Sequence, residues 1–249
     1  MSNRLQSLRV GFAVATLGLL SAVGAARADL IGSPLVVTAT SSDGLSASWT
    51  LPETAGQWDN GRWTWNAGTS WSYDFWSGTE LLGSISGLRV EYVSDPQVTV
   101  NFAAQAGALD TTFTFSSGLL TFAPITNGTA TASAGITVTD GNANGALLTG
   151  NHAGGFAYRA DYNGLVPTGI NYAQYMTSIS APALSGASDA GNSGPTSLGG
   201  VQSDMSAQFA FTLSRRDSAS GTSTFEIVPS PAGLALLGLA GLTAGRRKR

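Results

Sequence analysis

The sequence predicts an all-β domain, an antiparallel β-sandwich or jelly roll, flanked by a signal peptide and a short C-terminal hydrophobic helix. Three observations predict it. Apolar residues recur at every second position in several segments, as a half-buried strand requires. Asp-Gly, Asn-Gly and Ser-Gly pairs fall between those segments, and turns with positive φ use such pairs. Helical periodicity is weak through the middle of the chain.

The leading segment, 1–28, reads as a secretory signal. Arg4 and Arg9 make it positive, and Val10 to Ala26 is an uncharged run of small and apolar residues. It ends in Ala26-Arg27-Ala28, a small-x-small site, so cleavage is expected before Asp29. Residues 29–213 are expected to form the β-sandwich domain, and 214–227 a linker or the last strand.

Strands are expected at Leu35–Thr40 and Leu45–Leu51, joined through Ser41-Ser42-Asp43-Gly44. Leu88, Val90 and Tyr92 alternate with Arg89 and Glu91; Val98, Val100 and Phe102 alternate with Thr99 and Asn101. Phe113 and Phe115 repeat the pattern, as do Phe209, Phe211 and Leu213. Ile136–Thr139 and Phe156–Ala160 add two more strands. Asn171 to Ile179 suggests one short helix. Ser180 to Gly200, rich in Ser, Gly and Ala, reads as a long mobile loop, and Ser214 to Thr224 as a stalk.

The chain ends in three parts. Val228-Pro229-Ser230-Pro231 cannot continue a helix or a central strand, because proline lacks a backbone donor and has a fixed φ. Ala232 to Gly245 is a Leu/Ala/Gly segment, and Arg246-Arg247-Lys248-Arg249 closes the chain. As a helix the apolar part would span roughly 20 Å, short against a bilayer core of about 30 Å. This favours a processing signal over a durable anchor.

Those residues resemble the PEP-CTERM sorting signal, commonly Val-Pro-Glu-Pro, apolar segment and basic end. Ser230 stands at the acidic position of that motif. The resemblance covers only the last two dozen residues or so. It implies an exosortase-like processing enzyme as partner. It also implies membrane contact through the C-terminal helix before processing, and a destination on the cell surface, outer envelope or extracellular matrix of a Gram-negative-type bacterium. Biofilm and matrix roles follow from that address, and nothing follows about the fold of the middle.

Composition narrows the chemistry. Between Asp29 and Val228 five arginines face all fifteen acids, a formal net charge of −10 against −3 for the whole chain. No nucleic acid partner is expected, since phosphate binding needs a basic surface. There is no cysteine, so thiol nucleophiles and thiolate metal sites are out of reach. His152 is the only histidine, in the Gly150–Gly154 segment that reads as a solvated loop.

Two clusters carry candidate binding chemistry. All six tryptophans lie between Trp49 and Trp76. Trp58, Trp63, Trp65, Trp71 and Trp76 suggest an aromatic platform for sugar rings, with extracellular polysaccharide as partner; core packing is the competing reading. Trp63 and Trp65 share parity and should face one side of a strand. Asp140, Asn142 and Asn144 match the start of a calcium loop, but Asn151 stands where a bidentate Glu should close it. A plain turn suits these residues better, and no cofactor is expected. Glu53, Glu80, Glu91 and Glu226 fall in no recognisable catalytic motif. The expected function is therefore a non-catalytic structural or interaction role, with a carbohydrate-binding module as first alternative and a glycoside hydrolase as a remote one.

Overall fold

The computed structural model describes residues 28–230. The expected secretory segment with Ala26, and the tail with Pro231, Arg246, Arg247, Lys248 and Arg249, lie outside the described residues. So does the expected C-terminal helix.

Strands follow one another in chain order: β1 (Asp29–Ser41), β2 (Ser46–Leu51), β3 (Gln57–Asp59), β4 (Arg62–Asn66), β5 (Ser72–Ser77), β6 (Glu80–Val93), β7 (Gln97–Ala106) and β8 (Thr111–Thr126). The second half gives β9 (Thr129–Thr139), β10 (Ala146–Gly150), β11 (Tyr158–Tyr162), β12 (Ile170–Tyr175), β13 (Ser178–Ala181), β14 (Gly186–Ser197), β15 (Val201–Leu213) and β16 (Ser218–Val228). They make two antiparallel sheets. The first runs β12-β11-β15-β8-β1-β2, with β10 beside β15 and β13 beside β10. The second runs β14-β9-β16-β7-β6-β4-β3, with β5 beside β6.

The sheets pack face to face as a β-sandwich through the residues whose alternation marks the strands. Val98, Val100 and Phe102 point inward from β7, and Phe113 and Phe115 from β8. The Phe102 ring stacks on Phe115 at 4.1 Å and meets Phe209 at 5.0 Å, crossing from the second sheet to the first. Each such ring, moved out of water, contributes roughly 1.5–3 kcal/mol. Two glycines make room for rings. A Cβ on Gly221 would lie 2.5 Å from the Phe102 ring, and one on Gly83 2.7 Å from the Phe113 ring.

Three local expectations are corrected. Asn171 to Ile179 is not a helix: β12 and β13 occupy it, separated where Met176 takes φ +59. Ser180 to Gly200 is not a loop: β14 runs through it as an edge strand, paired along β9. Ser214 to Thr224 is not a stalk. Its residues from Ser218 onward belong to β16, held between β7 and β9. In β14 backbone pairing, not apolar side chains, specifies the position, whereas β16 also buries Ala219, Phe225 and Ile227.

Candidate functional site

The aromatic residues do not share one plane. Trp63 faces inward from β4 at 1% exposure, edge-on to Tyr92 at 5.8 Å. Its indole N–H donates to the Glu53 carbonyl at 3.3 Å. Gly56 lies against it so closely that a Cβ would sit 2.4 Å from the ring. Trp58 is half-buried and pairs across β3 and β4 with Trp63. Trp49, Trp65, Trp71 and Tyr73 form a separate half-buried cluster, with Trp49 5.3 Å from Trp71 and 5.8 Å from Trp65. Trp65 and Trp71 meet at 89°, so their faces cannot both lie under one flat ligand. Trp76 stands apart at 54% exposure, beside a bulge in β5. Trp63 and Trp65 do share a strand face, as their parity requires.

The Asp140 loop is a network of turn hydrogen bonds. One Asp140 carboxylate oxygen accepts the Asn142 N–H at 3.1 Å, and the other accepts the Leu184 N–H at 2.6 Å. These backbone donors, Leu184 first, hold the Asp140 pKa below its ordinary value. The Asn142 side-chain oxygen accepts the Asn144 N–H at 3.2 Å. The side-chain oxygens of Asp140 and Asn142 thus serve the backbone. Among the described residues no three His, Asp or Glu side chains converge as a metal site.

His152 is not solvated. It is 8% exposed, and its Nε2–H donates to the Gln208 carbonyl at 3.3 Å. Desolvation lowers its pKa, with the Gln208 bond opposing and Arg159 and Asp161 acting from nearby. Asp161 is itself fully buried and held by Arg159 at 2.7 Å.

Of the expected sorting motif, Val228 is the last residue of β16 and pairs with Thr129. Pro229 is exposed and Ser230 half-buried. Ala28, at the expected signal cleavage site, is buried.

The feature that sequence reading missed is the outer face of the second sheet. Register places Thr64, Glu91, Thr99, Thr224, Ser133 and Asn192 in one row across six strands. The next row runs Asn66, Arg89, Asn101, Thr222, Gly135 and Ala190. Neighbouring side chains already bond laterally, as between Thr99 and Thr224 at 3.4 Å and Thr222 and Asn101 at 2.5 Å. Gly135 beside Ala190 leaves a depression of about 590 Å³, walled by Thr137, Ser188, Ser220 and Thr222. Hydroxyls and amides thus recur at ~4.8 Å across the strands, interrupted by the Arg89–Glu91 ion pair on β6 and by Gly135 and Ala190. Such a surface offers many weak donors and acceptors in register. The signal was present in the polar half of each alternating strand, which is hydroxyl or amide far more often than charged.

No family model matches the chain, and no characterised protein is recognisably similar to it in sequence. Among solved structures, an isomalto-dextranase of Arthrobacter globiformis T6 complexed with panose is 11% identical at a TM-score of 0.20. That match covers 78% of this chain and 32% of the other, so the chain spans about a third of that protein. A structure of infectious bursal disease virus, Gx strain, is 11% identical at a TM-score of 0.14, covering 90% of this chain and 74% of the other. At such scores neither likeness bears on function.

Proposed function

We propose that the chain is an exported cell-surface or extracellular-matrix protein with a non-catalytic interaction role. Its signal peptide directs export, and the tail from Val228 is the substrate of an exosortase-like enzyme. The sandwich then contacts a polyhydroxylated polymer through the outer face of its second sheet. The observation that carries this reading is the hydroxyl and amide field around the Gly135 depression. Single hydrogen bonds there are weak against water, but repeated bonds to one polymer add through effective concentration.

Two experiments test it. Fractionation should find the full chain at the cell surface or in the matrix; a wild-type chain retained in the cytoplasm sinks the address. Co-sedimentation with extracellular polysaccharide should be lost when Ala190→Arg and Thr222→Arg fill the depression from exposed positions. Unchanged co-sedimentation of that variant sinks the contact surface.

A second reading has one observation in its favour. Trp58 lines a depression of about 350 Å³ together with Asp29 and Glu53. An aromatic face with polar neighbours suits a sugar ring. Loss of sugar binding in Trp58→Ala, with the Ala190→Arg variant unaffected, would select it.

A further inference from the structure

Five arginines lie between Asp29 and Val228. Arg62 and Arg89 both engage Glu91, and Arg159 engages Asp161. Among the described residues, Arg215 and Arg216 have no carboxylate partner. They are adjacent, exposed, and sit in the turn between β15 and β16. In a domain with three times as many acids as bases, two neighbouring guanidinium groups without a counter-charge are unexpected.

Their surroundings are built, not loose. The pair lines a polar depression of about 340 Å³ with Asn142, Asn144 and Ala108. Arg216 also borders a neighbouring hollow that contains Glu80. The aspartates beside the turn are engaged by other donors, and among the described residues Glu80 makes no ion pair with Arg216. Asp110 accepts the Arg215 backbone N–H at 2.9 Å. Asp217 accepts the Gly141 N–H at 3.0 Å and the Ser214 hydroxyl. Asp140 takes the two backbone donors already described. The Asn142 amide is tied to the Arg215 carbonyl at 2.7 Å, which fixes one wall to the turn.

Arg216 has φ +63, a left-handed conformation that disfavours any residue with a Cβ. The conformation is clamped. Its N–H donates to the Gly107 carbonyl at 2.9 Å, and its own carbonyl lies where a Cβ on Gly141 would come within 2.3 Å. Glycine would satisfy this backbone without strain, yet arginine stands there. Strained positions of this kind gather at ligand contacts.

We propose that this end of the sandwich binds a carboxylate-bearing sugar, the uronate unit of an acidic polysaccharide. The planar guanidinium fork matches a carboxylate and can bond it through two parallel N–H donors. Asn144 supplies an amide group for ring hydroxyls, while Asn142, bonded at both ends of its amide, holds the wall in place. The walls hold no apolar side chain larger than Ala108, which fits a sugar acid better than an acidic peptide with apolar anchors. The proposal is independent of the contact face around Gly135.

The test is calorimetry of the purified full chain with tri-galacturonate, a neutral galactose trisaccharide and a sulfated trisaccharide. Binding of tri-galacturonate alone is expected, weakened by salt. Arg215→Gln and Arg216→Gly should each weaken it by about tenfold or more. Arg216→Gly removes the guanidinium but relaxes the backbone, so its thermal midpoint should hold or rise while binding falls. No binding to the wild-type chain at millimolar tri-galacturonate overturns the proposal, as does full affinity in both variants. Equal or tighter binding of the sulfated sugar overturns the carboxylate assignment. Self-association that both variants abolish would instead assign the arginines to a second copy of the chain.

Discussion

The Tyr92 hydroxyl, reaching from β6 of one sheet, donates to the carbonyl oxygen of Pro34 on β1 of the other. It also accepts the Gly118 N–H at 2.9 Å. One side chain therefore satisfies a buried acceptor and a buried donor across the sandwich, where β1 and β8 lose regular pairing between Ile31 and Leu35. Burial pushes the Tyr92 pKa far above its ordinary value, so the hydroxyl stays protonated and able to donate.

Tyr92→Phe keeps the ring and removes both bonds. It strands the Gly118 N–H and the Pro34 carbonyl, and should cost about 1–3 kcal/mol. Urea denaturation of the two proteins would measure this; equal midpoints would show that water or relaxation replaces the clasp.

The tryptophans should divide sharply by depth. Trp63→Ala removes a fully buried indole and should cost about 3–5 kcal/mol. Trp76→Ala, at an exposed position, should stay within about 0.5 kcal/mol. Thermal unfolding of the pair decides whether the cluster is core or platform, and similar small effects would favour the platform.

His152 should make stability depend on pH near neutrality. Its folded pKa is lowered by burial, so the unfolded chain binds its proton first. Stability is full above the unfolded value of about 6.5 and declines as pH falls from there toward the folded value. His152→Gln should flatten the denaturation midpoint between about pH 7 and 5. Asp43 and Asp140, whose folded pKa values are lowered, act only in a more acid window. A slope that survives the substitution would move the origin elsewhere.

Gly221 should tolerate no side chain. Gly221→Ala drives a Cβ into Phe102 and should cost about 1–3 kcal/mol through ring displacement. Gly194→Ala on β14 meets nothing within 4 Å and is the control, expected to be neutral or stabilising by up to about 1 kcal/mol. Comparable losses at both sites would point to backbone strain in place of crowding.

Tyr92, Phe102, Phe115 and Phe211 announce their strands because each alternates with a polar residue and lies wholly inside. β14 gives no such signal. Its residues are small and mostly exposed, and its place is fixed by backbone bonds to β9. β16 is hidden for a different reason. Gly221 and Ala219 face inward and are small, Gly221 because the Phe102 ring fills its space, so the first half of the strand reads as a polar linker. The Trp cluster was legible as a concentration in sequence. Its division into Trp63, the Trp49–Trp65–Trp71 group and a separate Trp76 depends on strand pairing that no local pattern encodes. The Gly135 field and the Arg215–Arg216 pair depend on register and on three converging loops, and both lie beyond a linear reading.

Val228 is still paired when the chain reaches Pro229, and only three residues separate it from the apolar stretch at Ala232. Fully extended, that tether reaches roughly 10–14 Å. An enzyme that engaged the tail, as proposed, would work almost flush against the folded domain. Tension on the tail is transmitted along β16, which is bonded on both flanks, so the load falls in shear across the middle of a sheet. An attachment made there would be mechanically a spliced joint, set where the domain resists pulling over the full length of a strand.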